Sequence, residues 1–523
     1  MGFEFPNNNL QKSEFINQME QKKIFIVKLI TPLIVLTFFL SEKVYSQVSG
    51  SLFMLQDNFH SRLLNPSYMR NDDAIVVSVL GFAGARLGNN SSFKIDDLLY
   101  SDDENNPAFD FDKLYRSRGG ESEYFIKDQA AVPVIYVDIP VSNGRMSFSY
   151  EEKLESSLRF NLIKKDFEEG VNSPASFYTY NAKKIKYSGA GYREFSVGYS
   201  FNYNEKITLG IRGKLLFGAA FTDIKDWNYG IDYTKSGDQV ELRHRGAGKM
   251  ELPVIFYLSE ENLVLAVNSE NAFRKYMKNY NNPGLGIDIG ATFNFSDRSW
   301  FSASVTNLGA IWFRHTTLDF SQDTSYVFSN DDDEIYKYIE YPNSEGYIDP
   351  YKLIVDTKDD YAFLYRPVVD TVKTGHVLTP RLTLQYRYDV YKNLSFGFTN
   401  QSAFYNNSYL NILSFNVLQG VRELSFFENI NMYGTSSFTF GFGMQWETQY
   451  FQLFALTDNF EALFKPIKIH SFSMSAGIAL LINKPARPKP VRNKNSMQNN
   501  RGAKRKRSRG KVSPYLPFYK IKR

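Results

Sequence analysis

Ser437-Phe438-Thr439-Phe440-Gly441-Phe442-Gly443-Met444-Gln445-Trp446 alternates without a break: the even positions carry aromatic rings and a methionine, the odd positions small or polar groups. Successive side chains of an extended chain point to opposite faces, so this stretch is a strand with one apolar and one small, polar face. Phe195, Val197, Tyr199, Phe201 and Tyr203 repeat the pattern against Ser196, Gly198, Ser200 and Asn202. Leu285 to Phe295, Leu382 to Val390 and Phe472 to Ile482 do the same, with Gly, Ser, Thr, Asn and an occasional Arg or Asp on the second face.

A soluble sandwich turns its bulky residues inward and clothes its outer face in Lys, Glu and Thr. Here the polar face is small, and the apolar runs match the roughly 9–11 residues with which a tilted strand crosses a bilayer. Aromatic residues gather at strand ends, in Tyr388 with Tyr391, Tyr203, Trp300, and Trp446 with Tyr450, as in the girdles of outer-membrane barrels. The fold expected is all-β, a transmembrane antiparallel β-barrel, with a secreted soluble β-protein as the competing class.

The two ends of the chain support this reading. Lys22, Lys23 and Lys28 precede the apolar run Leu29 to Leu40, and Val44-Tyr45-Ser46 places small residues for cleavage before Gln47. That is a secretory signal peptide, too short in its apolar part to span a bilayer. The run from Lys484 to Arg523 holds 15 Lys and Arg and no acidic residue, so the overall +5 conceals an acidic remainder. The organisation expected is a signal peptide over 1–46, an outer-membrane barrel over 47–483 and a basic, Pro-containing periplasmic tail over 484–523. With Cys 0, disulfide scaffolds, thiolate metal sites and cysteine nucleophiles are excluded.

Strand-like runs, among them 74–80, 145–150, 206–217, 252–258, 394–400 and 450–456, suggest about 14 strands, with 12 or 16 left open, since bacterial barrels close on even numbers. A lumen of that width needs a plug. Leu52 to Met69 and the region 155–190, read as loops, are the two candidates. Ser101 to Phe125 and Asp319 to Thr374 read as long, acidic extracellular loops, including Asp102, Asp103, Glu104 and Asp331 to Glu334. Ser142-Asn143-Gly144 and Ser296-Asp297-Arg298 read as tight turns.

Catalytic constellations are missing from the sequence. His60, His244, His315, His376 and His470 form no helical metal pair, no G-x-S-x-G elbow occurs, and the Gly-Lys pairs at 213–214 and 248–249 lack the spacing of a phosphate loop. No catalytic residue, cofactor or metal is assigned, and the protein is expected not to be an enzyme. Pro133 and Pro253 interrupt lipid-facing strands in a way that suits a lateral gate, although Pro at a strand start explains them equally.

Leu64-Asn65-Pro66-Ser67-Tyr68, then Gly88-Asn89-Asn90-Ser91 with Phe93 and Asp96-Asp97-Leu98-Leu99, and near the end Phe454-Ala455-Leu456-Thr457-Asp458-Asn459-Phe460 with Lys465-Pro466, resemble an outer-membrane barrel family of unknown function. That family is similar in architecture to FadL-like fatty-acid transporter barrels and to barrels that accompany type IX secretion and gliding machinery. The resemblance implies a membrane barrel over about 60–483 and supplies no catalytic residue. Outside it lies the tail, where Lys504, Arg505, Lys506, Arg507, Arg509 and Lys511 form a cationic run and Tyr515, Phe518 and Tyr519 alternate with proline. In the periplasm such a tail meets anionic lipid, cell wall or an acidic protein, and no nucleic acid. Two functional classes follow. One is a component of an envelope assembly that contacts partners through loops and tail; the other is a channel for small hydrophobic solutes.

Overall fold

Alternating Phe and Gly or Ser cannot fill a core on one face and meet water on the other without reversing the usual order of inside and outside, and the chain does reverse it. In the computed structural model, which describes residues 50–484 except 80–81, 102–106, 121–122, 168–175, 235–238, 252, 254–255, 259–264, 268–270, 329–337, 341–345, 351–352, 354–367, 406–407, 434–436 and 466–467, one antiparallel sheet closes on itself. Its wall strands are β1 (Ile75–Val79), β2 (Ala85–Ser91), β3 (Glu123–Val141), β4 (Gly144–Phe167), β5 (Phe177–Asn202) and β6 (Ile207–Tyr233). They continue with β7 (Val240–Glu251), β8 (Pro283–Ser296), β9 (Ser299–Val327), β10 (Val368–Val377), β11 (Arg381–Tyr391) and β12 (Leu394–Tyr405). The rest are β13 (Ser408–Val421), β14 (Leu424–Tyr433), β15 (Ser437–Glu447), β16 (Phe451–Thr457) and β17 (Ser471–Ile482).

Both β1 and β2 pair with β17 on one side and with β3 on the other, which closes the ring. The tandem pair β7 and β8 likewise shares one position between β6 and β9, and β10 and β11 share one beside β9. These three shared positions and the eleven single strands give fourteen positions around the ring among the described residues.

Outward positions are apolar and inward positions polar. Phe438 and Phe440 are 66% and 65% exposed, whereas Thr439 between them is buried. Ser302, Ser304, Thr399, Asn416, Asn431 and Gln452 are buried inside. Tyr388, Tyr391, Tyr203, Trp446 and Tyr450 are exposed at strand ends near the tight turns, as an interface girdle requires. Closing the ring removes the long unpaired edges an open sheet would present to lipid, and this inverted polarity makes the chain an integral outer-membrane β-barrel. No helix among the described residues is long and apolar enough to cross a membrane.

The turns at 142–143, 297–298, 392–393 and 422–423 lie at one end, with the start of β1 and the end of β17. The opposite end carries the long connections. There β4, β5, β6 and β9 run to 24, 26, 27 and 29 residues, far more than the roughly 25 Å apolar band needs, and build a crown above it.

Four readings of the sequence are corrected. Residues 155–190 are mostly strands β4 and β5, whose charged residues belong to the tall crown above the apolar band instead of marking a loop. The span 319–374 is strand up to Val327 and again from Val368. Residues 256–258 pair with 265–267 in a small separate hairpin and are not a wall strand. Trp300 points inward, edge-on to Tyr68 at 6.0 Å, and is no girdle residue. Residues 1–46, the acidic runs 102–104 and 331–334, and the tail residues from Lys504 to Tyr519 lie outside the described residues.

Candidate functional site

Residues 50–70 fill the lumen. They comprise a short 3-10 turn, Gly50–Met54, then α1, Phe59–Leu64, then the turn through Pro66. Asn58 starts α1 by accepting from the His60 amide at 2.8 Å while its own amide donates to Gln445 at 2.9 Å, so the helix cap is also a wall contact. Asn65 ends it and folds the Asx turn, accepting from the Ser67 amide at 3.0 Å. Ser67 then bonds Thr292 at 2.8 Å, and the Tyr68 hydroxyl reaches Ser302 and Gln385. A Cβ on Gly290 would collide with Asn65 Oδ1, and one on Gly210 with the Pro66 carbonyl, so these wall glycines make room for the plug.

Against the plug the wall turns locally apolar. Leu52, Phe53, Phe59, Leu63 and Tyr68 pack on Val76, Tyr136, Phe454 and Leu481, all buried. The first turn is tied down by Asp458, which accepts from the Gly50 amide at 3.1 Å, from Asn429 at 2.6 Å and from Ser473 at 2.9 Å. Of the two segments that could plug the barrel, the N-terminal one occupies the lumen. The Asn-Pro and Asp-Asn pairs that carry the family resemblance are its anchors.

Buried charges surround α1. Arg62 pairs with Asp138, which also holds Arg145 at 2.8 Å, and its Nη2 donates to Ser200 at 2.9 Å. Arg212 donates to the carbonyls of Arg62 at 3.0 Å and Leu63 at 2.5 Å while paired with Asp288. Asp288 holds Lys214 at 2.8 Å, Lys214 meets Glu194 at 3.3 Å, Glu194 meets Lys153 at 2.7 Å, and Glu151 joins Lys153 at 3.2 Å to Arg86 at 2.8 Å. Each charge has an opposite neighbour, the condition under which burial is tolerable. The occasional Arg and Asp on the polar strand faces are visible in the sequence; their pairing across six strands is not.

The wall is interrupted beside this network. Phe82, Ala83 and Gly84 leave the ladder between β1 and β2, and Val132, Pro133 and Val134 of β3 have no partner there, the pairings resuming at Val79 with Ile135 and Arg86 with Ala131. Gly84 has φ +80, and a Cβ on it would collide with the Ala476 carbonyl, so glycine is required. Phe82 is 61% exposed on the outer side. On the inner side His60 lies against the Ala83 carbonyl, with Nε2 at 2.7 Å. A carbonyl only accepts, so Nε2 carries the proton of a neutral ring, and burial followed by the nearby Arg86 charge lowers the pKa to about 3. Behind the break a cavity of about 50 Å³ lies between Leu63, Leu64, Ala131, Arg86, Lys153 and Arg381. It has room for a few waters, at roughly 10–15 Å³ each, and for no larger guest while the plug is in place.

A second interruption separates β7 from β8. Wall pairing stops at Glu251, just before Pro253, and resumes at Pro283, and the helix α2, Ala272–Met277, rests on the outer face. There Arg193 donates to the carbonyls of Met277 at 3.1 Å and Asn279 at 3.2 Å, and Tyr276 donates to Glu152 at 2.8 Å. Both prolines singled out in the sequence therefore mark places where strand pairing stops. Among the described residues no group of three or more His, Asp or Glu is placed to hold a metal.

No curated protein matches the chain. Among solved structures it is similar to a Pseudomonas aeruginosa FadL homologue, at 9% identity over 83% of this chain and 94% of that one, TM-score 0.37. It is also similar to the Pseudomonas putida toluene transporter TodX, at 8% over 84% and 94%, TM-score 0.35, and to the Ralstonia pickettii toluene transporter TbuX, at 6% over 81% and 92%, TM-score 0.35. A family model described as "Family of unknown function (DUF5723)" matches residues 66–458, from the plug's Asn-Pro turn to its Asp458 anchor. With well over half of its length inside that match, the chain belongs to this family.

Proposed function

We propose that the barrel is a non-enzymatic conduit for small hydrophobic or amphipathic solutes, which enter the lumen from the crown and leave sideways into the membrane beside Pro133, with the plug as the gate. The observation that carries this reading is the break at Phe82, Ala83 and Gly84, beside which Val132, Pro133 and Val134 of β3 have no partner on that side and behind which α1 lies in the lumen. A hydrophobic solute gains nothing by crossing to the aqueous periplasm, whereas a side exit returns it to an apolar phase. Backbone groups freed at such a break are tolerable in lipid only where they line a cavity, which is the arrangement here. Uptake of a fluorescent hydrophobic solute into proteoliposomes tests it. The wild type is expected to pass the solute, and Ala131→Trp, which fills the cavity behind the break, to lower flux at least tenfold while the barrel stays folded by its heat-modifiable gel mobility. Equal flux in the two would refute a lateral route.

The tightly anchored plug favours a second reading, a component of an envelope assembly that holds partners through its crown loops and basic tail. It predicts no flux from either protein and a set of co-purified envelope proteins that changes when residues 485–523 are removed.

A further inference from the structure

Among the described residues, the outer face of the barrel carries a carboxylate without a partner, Glu428, where lipid tails are expected. Glu428 is the fifth residue of the 10-residue β14. It is exposed, on the same face as exposed Ile430, while Phe427 and Asn429 on either side of it are buried. Opposite it stand Val417 of β13 and Phe442 of β15. Counting up from the turn at 422–423, at about 3.3 Å per residue and a tilt near 40°, Glu428 sits about 13 Å above the periplasmic rim, in the middle of the roughly 25 Å apolar band.

Around it lies a pocket of about 490 Å³ on the outside of the wall, formed by Phe415, Val417, Ile430, Phe440, Phe442 and Phe460. Phe460 comes from the connection between β16 and β17, which folds down over the outer face and stacks edge-on with Phe442 at 6.3 Å. Among the described residues the Glu428 carboxylate has no ion-pair or hydrogen-bond partner. An ionisable side chain facing hydrocarbon is costly and marks a functional site unless something satisfies it.

We propose that this pocket docks a membrane-spanning segment of a different envelope protein, which places a Lys or Arg side chain on Glu428. The aromatic walls suit a cation, whose charge is attracted to ring faces within about 6 Å. Depth excludes a lipid amine, because headgroups lie about 15 Å from the midplane of the hydrocarbon layer. A second copy of this chain is excluded as well. A two-fold contact centred on the pocket brings two Glu428 carboxylates together, and the outward positions nearby, Phe396, Phe398, Phe415 and Phe440, offer no cation. The inference is independent of any solute flux through the lumen.

The test uses the full chain in its own outer membrane, with a photo-reactive benzophenone side chain in place of Phe442. The expected adduct joins it to a strand or helix of another membrane protein that bears an outward Lys or Arg. Its yield falls at least tenfold with Glu428→Gln, persists largely with Glu428→Asp, and returns when Glu428→Lys is combined with an acidic residue in place of the partner's cation. Heat-modifiable mobility confirms that each variant is folded. Adducts only with lipid or with a second copy, no adduct at all, or a yield unchanged by Glu428→Gln each overturn the proposal.

Discussion

Arg62→Ala is the sharpest probe of the plug. Arg62 is 4% exposed and faces Asp138, which is fully buried. Removing one partner of a buried ion pair costs about 3–5 kcal/mol, because the other charge stays out of water. Here Asp138 keeps Arg145 at 2.8 Å, and Arg212 keeps its contacts to the backbone of α1. The loss therefore falls at the lower end, about 3 kcal/mol. At 1.4 kcal/mol per factor of ten, the ratio of docked to released plug drops about a hundredfold. The chain has no cysteine, so Ser61→Cys supplies a single reporter, fully buried in α1. Its maleimide labelling in proteoliposomes follows the released fraction, and labelling of the Arg62→Ala, Ser61→Cys protein is expected to be about a hundred times faster than that of Ser61→Cys alone. Asp138→Asn leaves both Arg62 and Arg145 without their carboxylate and should act at least as strongly. A change of less than threefold would show that the pair does not hold the plug.

The same reporter responds to acid. His60 is neutral when docked, its pKa pushed down to about 3, whereas a released plug takes up a proton near 6.5. Docking is therefore steady above 6.5 and weakens as pH falls from 6.5 towards 3, by up to tenfold per unit; labelling of Ser61→Cys, normalised to an exposed cysteine, should rise accordingly, and a flat profile contradicts the burial of His60. Gly84→Ala places a Cβ against the Ala476 carbonyl at positive φ, costing about 2–3 kcal/mol, and should lower the heat-modification midpoint by roughly 5–10 °C. Asp288→Asn removes the carboxylate shared by Arg212 and Lys214, leaves two buried cations short of a partner, and should reduce the yield of folded barrel in refolding from urea.

Part of the site is legible in the sequence. Leu52 to Met69 is one of two plug candidates, with the region 155–190, because a lumen of this width must be filled; the choice between them is made only in the fold, while Pro133 and Pro253 stand out because proline stops a ladder. Other parts are hidden. Trp300 reads as a girdle ring, yet a strand's inward register is set by its pairing partners, and β9 turns that ring onto Tyr68. The tall crown hides in residues 155–190 because strands rising beyond the membrane lose the apolar alternation that identifies the spans. Glu428 reads as one more charge in Ser425 to Asn431; only its register beside Val417 and Phe442 shows that it faces lipid.

The barrel itself is written in the order of the residues, since a period of two with Phe and Tyr on one face and Gly, Ser and Asn on the other satisfies hydrocarbon and a polar lumen at once. That information is local, repeated in every strand. Which charges meet, where the wall opens and which carboxylate is stranded outside are settled only when the ring closes. Arg62 and Asp138 are 76 residues apart, and Gly50 and Asp458 are 408 apart. Such pairs depend on the shear of a closed ring, a property of all its strands together that no single stretch encodes.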